Sequence, residues 1–368
     1  MKKLLGALAL SGFAALTTSQ VSQAADVALY GLIDSGLSYV HGENDSTFDM
    51  KSGMVAPSRF GIKASETISP DLRVGVVLEN GFASDDGAIS QPNRLFGREA
   101  TVSVEGDFGR LVFGRSGVLV SGFGTTGILN AQASPFVGGW GAVRGHRAVM
   151  TGFFRSVDNV VTYASPEAAG ARLWLQYSGD TGTGPAGKEN SHRVDRFYAG
   201  ALTWKGEAFD TIAVVERLDH ADSQTLPDVS SQTSATIAGN VKTGAVTTYG
   251  LVHWFNHATS LPDGLQTTLD AGIFSRSAPA EGWSVNAGVS VAAGSGSVKL
   301  AAGWLDAESE TDGANDMQRL TFSAGYMLPL SKRTQLYAGA GWSGDDYGRK
   351  GVESSDQWSV VSGMIHFF

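Results

Sequence analysis

Short segments in which apolar and polar residues alternate recur along most of the chain. Around residue 60, for example, Phe60 and Ile62 fall on one side, and Arg59 and Lys63 fall on the other. A period of two residues is typical of a β-strand with one apolar and one polar face. We count about five such segments before residue 115 and about eleven after residue 155. The pattern predicts an all-β fold.

The connections between these segments alternate in length. Short ones such as Ser69–Asp71 and Thr243–Gly244 take turns with long ones such as residues 41–56 and 219–233. Outer-membrane barrels combine short periplasmic turns with longer outer loops in this way. The rhythm predicts a 16-stranded antiparallel transmembrane β-barrel. The strand-like stretch Leu265–Ser277 is assigned to an outer loop, since one more strand would leave the C-terminus on the wrong side.

A soluble β-sandwich would also alternate, so the content of each face matters. Here glycine shares the polar face with charged residues, and Trp and Tyr stand at strand ends. In a wide membrane barrel the polar face lines water and the aromatic residues mark the two interfaces. Taken at face value, strand parity directs a set of charged side chains into the bore. The predicted lumen residues are Asp34, Arg59, Lys63, Arg73, Glu79, Arg172, Lys299 and Arg319.

The longest connection, between Arg115 and Arg155, is rich in glycine and shows no strand pattern. Neither Asp nor Glu occurs between Asp107 and Asp158. We predict that this third outer loop folds into the lumen and narrows it, because a barrel offers a long, nearly uncharged loop no other useful place. The predicted constriction residues are Arg115, Arg144, His146, Arg147 and Arg155.

Two arginines do not fit simple alternation. Arg115 shares its parity with Leu111 and Phe113, and Arg98 shares its parity with Phe96 and Ala100. Either a bulge shifts the register, or a neighbouring subunit covers this part of the wall.

The N-terminus has the features of a secretory signal peptide. Lys2 and Lys3 precede the short apolar run Leu4–Leu16, and Ser22 and Ala24 supply the small residues of a cleavage site. The run is too short to span a bilayer, which takes roughly 20 residues. We therefore predict a signal peptide over residues 1–24 and a barrel domain over residues 25–368.

Composition excludes several other functions. The chain carries 36 acidic against 27 basic residues, which argues against nucleic acid as a partner. It has no cysteine and therefore no disulfide or thiolate chemistry. The spacing Gly122–Gly127 matches a dinucleotide motif, but the acidic residue expected about 20 positions later is missing. His253 and His257 would lie roughly 13 Å apart on a strand, too far to share a metal ion. We expect no enzyme, cofactor or metal.

Several segments together resemble the general porins of Gram-negative outer membranes, and most of all the β-proteobacterial and Neisseria-type branch. They occur in the order found in that family and span almost the whole mature chain. The segments are Ala28–Asp34, Ser58–Lys63, Leu78–Phe82, Phe96–Ala100, Gly106–Gly109, Phe113–Arg115, Leu330–Thr334 and Phe368.

This resemblance implies a sixteen-stranded barrel, a homotrimer, location in the cell outer membrane, and a third loop in the lumen. It also implies that terminal Phe368 is read by the barrel-assembly machinery. The sequence departs from the family at Ser134–Gly138, where such porins carry acidic loop residues. That departure puts the usual transverse field of the constriction in doubt.

The expected function is a water-filled channel for passive diffusion of small hydrophilic solutes and ions. We predict a weak preference for anions, since predicted lumen cations outnumber predicted lumen acids and screening limits the acidic outer loops to a reach of roughly 8 Å. The acidic clusters Asp306–Asp312 and Asp345–Asp346 are solvated loops, or sites for divalent cations bound with lipopolysaccharide, so outer-membrane lipid and lipopolysaccharide are expected partners. The alternative is a surface-binding adhesin that uses its outer loops, although such a scaffold does not need the long third loop.

Overall fold

The computed structural model describes residues 26–42, 45–129, 132–152, 155–222, 229–261, 273–311, 316–348 and 354–368. The predicted signal peptide lies outside these ranges and stays a prediction. Within them, no helix combines the length and apolar character needed to cross a bilayer.

The described residues form strands that run from one end of the chain to the other. Their bounds are β1 (Asp26–Gly42), β2 (Ser46–Ser52), β3 (Arg59–Ser69), β4 (Leu72–Gly81), β5 (Glu99–Gly106), β6 (Gly109–Gly117), β7 (Gly139–Trp140), β8 (Val143–Arg144), β9 (Ser156–Ala164), β10 (Ala171–Ser178), β11 (Arg196–Lys205), β12 (Phe209–Asp219), β13 (Gln232–Thr243), β14 (Val246–Ala258), β15 (Ala280–Ala293), β16 (Gly296–Ser309), β17 (Met317–Pro329), β18 (Thr334–Tyr347) and β19 (Ser355–Phe367). A 3₁₀ helix covers His146–Val149.

All of these strands except β7 and β8 belong to one antiparallel sheet that closes on itself. β1 pairs with β19 from Leu32 opposite Phe367 to Gly42 opposite Gln357. The first part of β1, Asp26–Leu32, pairs with β3, and the later part, Ser35–His41, pairs with β2. β2 and β3 are therefore two parts of one interrupted barrel strand. Counted this way the barrel has sixteen strands, which confirms the predicted fold.

The C-terminus completes the closure. The backbone N–H of Gly31 donates to the carbonyl of Phe368 at 3.2 Å, and the N–H of Phe368 donates back to Gly31 at 3.1 Å. A side chain at Gly31 would collide with the ring of Phe368. The last residue is thus held against the first strand, and no open edge faces lipid, as a membrane barrel requires.

The faces of the barrel are inverted relative to a soluble protein. On β13, Ile237 is 66% exposed, whereas its neighbours Thr236 and Ala238 are buried. On β4, Val76 is exposed and Glu79 is buried. Both strands place apolar residues outside and polar or small residues inside, and the burial of Glu79 agrees with its predicted inward parity.

Two connections show why glycine recurs in the short turns. Gly244, between β13 and β14, and Gly294, between β15 and β16, both have φ of +59°. A left-handed backbone of this kind costs glycine little and suits a two-residue hairpin turn. In the strand-like segment assigned to an outer loop, residues 273–277 form no strand, and the preceding residues lie outside the described ranges.

Candidate functional site

The segment that follows β6, here called the inner loop (residues 118–155), packs against the inner face of the barrel. Val118, Leu119 and Leu129 have no exposed surface and cluster with Phe197 of β11 and Ile212 of β12. Those wall residues alternate with exposed apolar ones and therefore point inward. Apolar burial of this extent fixes the first part of the loop on the wall formed by β11 to β14.

The middle of the inner loop crosses to the other side of the barrel. Trp140 is 1% exposed, and its ring centroid lies 4.9 Å from that of Phe136 and 5.7 Å from that of Tyr337 of β18. A Cβ on Gly325 would lie 2.6 Å from the Trp140 ring, and one on Gly339 would lie 3.2 Å from it. Inward-facing glycines of the wall thus make the room that the loop aromatics occupy.

The end of the inner loop is held by polar contacts. Arg144 donates to Gln357 Oε1 at 2.6 Å, and Arg319 Nη1 donates to the carbonyl of Ala148 at 3.1 Å. The backbone N–H of Thr151 donates to Nε2 of His253 at 3.2 Å. The loop therefore lies mainly along the wall from β11 to β19. Beside β1 and β3 to β6 it leaves space that loop residues 122–125 border, and we call this side the uncovered wall.

Two adjacent cavities lie along the uncovered wall, and we name them by position. The upper cavity, about 240 Å³, and the lower cavity, about 630 Å³, share Lys63 and Thr125. The lower one adjoins the short turns. The charged residues of the upper cavity are Arg59, Lys63, Glu79, Arg98 and Glu99, and those of the lower cavity are Asp26, Lys63, Arg73, Glu105 and Arg110.

In the upper cavity Glu79 pairs with two arginines, Glu99 binds the inner loop, and Lys63 contacts no carboxylate of the residues that the structure describes. Glu79 accepts from Arg98 Nε through Oε1 at 2.7 Å and from Tyr30 Oη through Oε2 at 2.9 Å. Arg59 Nε lies 3.4 Å from the same Oε2. Glu99 accepts the backbone N–H of Thr125 at 2.9 Å and the hydroxyl of the same residue at 2.6 Å. Glu99 thereby fastens the inner loop to β5 beside the opening.

Four of the predicted lumen residues line the two cavities, namely Arg59, Lys63, Arg73 and Glu79. Arg172 and Lys299 lie half-buried on the inner face of β10 and β16, and they line neither cavity.

For two of the predicted lumen residues, the expectation of a charge facing open water is wrong. Asp34 is fully buried and accepts from Tyr337 Oη at 2.6 Å and from the N–H groups of Val55 and Ala56. Arg319 is 2% exposed, and its Nε lies 2.6 Å from an oxygen of Asp345. Both residues brace the wall instead of lining water.

The predicted constriction residues differ in their surroundings. His146 is buried, and burial, followed by the nearby charge of Arg147, lowers its pKa to about 3, so it is neutral at pH 7. The expectation that it is a polar group at the pore is therefore wrong. Burial also lowers the pKa of Arg144 to about 10, which leaves it cationic. Arg144, Arg147 and Arg155 line neither cavity, and their role in a constriction stays a prediction.

Arg115 also differs from expectation, because it lies on the outer face of the barrel. Its Nη1 is 2.7 Å from an oxygen of Asp158, and its Nε donates to the carbonyl of Gly97. Next to it, Ser116 points inward and is fully buried. The register between β6 and β9 shifts at this point, and Arg94 binds the same carboxylate. The charge of Arg115 is therefore neutralised by Asp158 on the outer face and does not face the lumen.

Sequence reasoning missed Tyr30, Arg98, Glu99 and Arg110 as cavity residues. Arg98 broke the expected alternation because it precedes β5, whose pairing begins at Glu99. Its failure to fit the alternation was the sequence signal that could have identified Arg98 as a cavity residue. Arg110 alternates with Leu111, so parity would have placed it inside, although it was not among the predicted lumen residues. In the described part of the chain, no three His, Asp or Glu side chains come together as a metal site.

Comparison with known proteins agrees with this architecture. An outer membrane porin protein of Bordetella pertussis is 28% identical over 375 residues, covering 92% of both chains. Outer membrane porin protein 32 of Delftia acidovorans is 27% identical, covering 92% of this chain and 88% of its own. The solved anion-selective porin of Comamonas acidovorans superposes with a TM-score of 0.71 at 21% identity, over 94% of this chain and 100% of its own.

One solved form of OmpT from Vibrio cholerae, described as a trimer, has a TM-score of 0.63 at 14% identity and covers 94% of this chain and 100% of its own. Residues 7–347 match the family described as Gram-negative porin, which is most of the chain. With its closed sixteen-stranded barrel and inner loop, this chain belongs to the Gram-negative porin family.

Proposed function

We propose that this outer-membrane porin conducts small hydrophilic solutes and ions along the uncovered wall of β1 and β3 to β6, with a weak preference for anions. The observation that carries the proposal is the charge of the two cavities. Five cations and four carboxylates line them. Charges in a narrow passage with low-dielectric walls act strongly on passing ions. An excess of one positive charge therefore favours anions, but only weakly.

The reversal potential across a potassium chloride gradient tests this proposal. The purified protein is inserted into a planar bilayer, and we expect a potential of the sign that marks chloride as the more permeant ion. A preference for potassium at molar salt, where the outer acidic loops are screened, would contradict it. The name of the Comamonas protein, an anion-selective porin, supports the same direction.

A role as an adhesin accounts less well for the inner loop. A scaffold that only displays outer loops has no need to bury Trp140 and Phe136 inside its barrel. We likewise propose that the chain is not an enzyme, since porin relatives are channels. A measured conductance that stays high when the outer loops are shortened would favour the channel over the adhesin.

We also propose a homotrimer. Arg115 and Asp158 place charge on the outer wall, where lipid is a poor environment, and Arg94 of the preceding outer loop joins them. A neighbouring subunit would cover such a cluster at lower cost. Light scattering in mild detergent tests it, and a monomer mass would count against it.

The remaining expectations concern export and assembly. We propose that residues 1–24 are removed on export, that Phe368 is read by the barrel-assembly machinery, and that lipid and lipopolysaccharide surround the barrel. N-terminal sequencing of the mature protein tests the first, and deletion of Phe368 tests the second through the yield of folded barrel. Lipid extraction of the purified protein tests the third.

A further inference from the structure

We propose that the lower cavity is a binding site for small polyanions, distinct from the paired charges of the upper cavity. The inference rests on the proposed anion-permeable channel and adds a ligand class to it. Arg73 lies six residues from Glu79 along β4, which corresponds to roughly 20 Å. The upper and lower cavities are therefore two separate positions along one permeation path.

The decisive difference between the levels is how their cations are compensated. In the upper cavity, Arg59 and Arg98 both lie against Glu79. In the lower cavity, Arg73 donates to the hydroxyl of Ser65 at 2.6 Å, and Arg110 reaches the hydroxyl of Thr125 at 3.5 Å. A hydroxyl satisfies a hydrogen-bond donor but leaves its positive charge unneutralised.

The third cation, Lys63, lines both cavities and is likewise held without a carboxylate in contact among the residues described. Its Nζ lies 4.3 Å from the centroid of the Tyr30 ring. Within the described ranges, none of Lys63, Arg73 and Arg110 has a carboxylate oxygen within 4.0 Å. Three cations thus line one cavity without a carboxylate in direct contact, and an anionic ligand would complete this arrangement.

The spacing of these cations indicates the shape of the ligand. Arg73 on β4 and Arg110 on β6 are separated by β5, so their backbones lie roughly 10 Å apart. Glu105 of β5 lies between them in register, and next to them the wall is lined by Ser65, Gly75 and Ser103. These small residues leave space, and the two serines offer hydroxyls. A ligand with several oxyanion groups spread along its length can reach both guanidinium groups, whereas a chloride ion reaches only one.

Two acids limit how tightly such a ligand is held. Glu105 lies between Arg73 and Arg110 in register, and Asp26 lies beside Ser65. Their charge weakens binding, which suits a channel, since a station on a permeation path must also release its ligand. It also supplies a variant of opposite sign, because Glu105→Gln is expected to tighten binding.

The shared chemistry is a small molecule with several oxyanion groups, which in nature is either an oligophosphate or an oligocarboxylate. The probes are tripolyphosphate for the first and citrate for the second, each added to channels that conduct potassium chloride in a planar bilayer. We expect each probe that binds to reduce the current in a saturable manner. The probe with the lower half-blocking concentration identifies the better source.

Substitutions in the lower cavity test whether the probes reduce the current by binding there. Arg73→Gln combined with Arg110→Gln is expected to raise the half-blocking concentration about tenfold, the effect of losing two solvent-accessible charge contacts. Glu105→Gln is expected to lower it. The matched control, Lys332→Gln combined with Arg333→Gln, removes two exposed cations from the turn between β17 and β18 and should leave it unchanged.

The outcomes separate this inference from the proposed function. Absence of block by both probes, or block that is the same in the Arg73 and Arg110 variant, overturns the polyanion site while an anion-type reversal potential leaves the proposed function intact. A cation-type reversal potential in the unmodified protein refutes the proposed function itself. Heat-modifiable migration on gels shows that each variant forms a folded barrel.

Discussion

Replacing Trp140 with alanine should release the inner loop from the wall. The indole is almost fully buried between Phe136, Tyr337 and the space left by Gly325 and Gly339. A buried tryptophan removes 150–250 Å² from water, which at ~25 cal/mol per Å² contributes about 4–6 kcal/mol. Measured truncations of this kind cost about 3–5 kcal/mol.

A loss of about 4 kcal/mol changes the ratio of docked to undocked loop roughly a thousandfold. We therefore expect Trp140→Ala channels to show frequent excursions to a larger conductance and more current noise than the unmodified channel. The barrel itself should remain folded, since its strand pairing is untouched. Single-channel recording in a planar bilayer measures both quantities.

The matched control is Trp283→Ala, which removes the same side chain from the outer face, where Trp283 is 44% exposed. It should leave conductance and noise unchanged. If Trp140→Ala also leaves both unchanged, then Trp140 does not hold the loop and the reasoning from burial is refuted.

Three further predictions follow from the same geometry. Asp34→Ala leaves three buried donors without an acceptor and should destabilise the barrel by about 3 kcal/mol. A lower melting temperature would show this, whereas Asp49→Ala on the exposed β2 should have little effect. Glu79→Gln removes one of the four cavity carboxylates and should move the reversal potential further towards anions; no movement would show that ions bypass the upper cavity. His146 has a pKa of about 3 when the loop is docked and roughly 6.5 when it is free. Docking is therefore unaffected above pH 7 and weakens as the pH falls from 6.5 towards 3. Current noise should rise accordingly, and His146→Asn should flatten that dependence.

The barrel was predictable because its main signal is local. A period of two residues is written into each strand, and turn length gives the order of the strands. The interruption between β2 and β3 was not predicted, and residues 41–56 were assigned to a loop. β2 is short, and its apolar Phe48 and Met50 do not distinguish a strand from a loop without its partner β1.

The site was predicted only in part, because its contacts join residues far apart in the chain. Arg59, Lys63, Arg73 and Glu79 follow from strand parity alone. The wall against which the inner loop lies depends instead on contacts such as that between Trp140 and Gly339. No local pattern carries that information, so the loop arginines were expected at an opening that lies on the opposite wall.

The inner loop also spans the place where the barrel closes. Phe136, Trp140 and Val143 cluster with Leu32 of β1 and Ile365 of β19. These two strands are the first and last of the barrel, and unzipping would begin where they separate.

To separate, β1 and β19 must lose their backbone hydrogen bonds and also their side-chain contacts with the inner loop. The loop therefore holds the first and last strands together, and its burial slows the unfolding of the barrel even where it adds little to the strand pairing. The same aromatic residues that hold the inner loop on the wall would then set how long the barrel survives in denaturant.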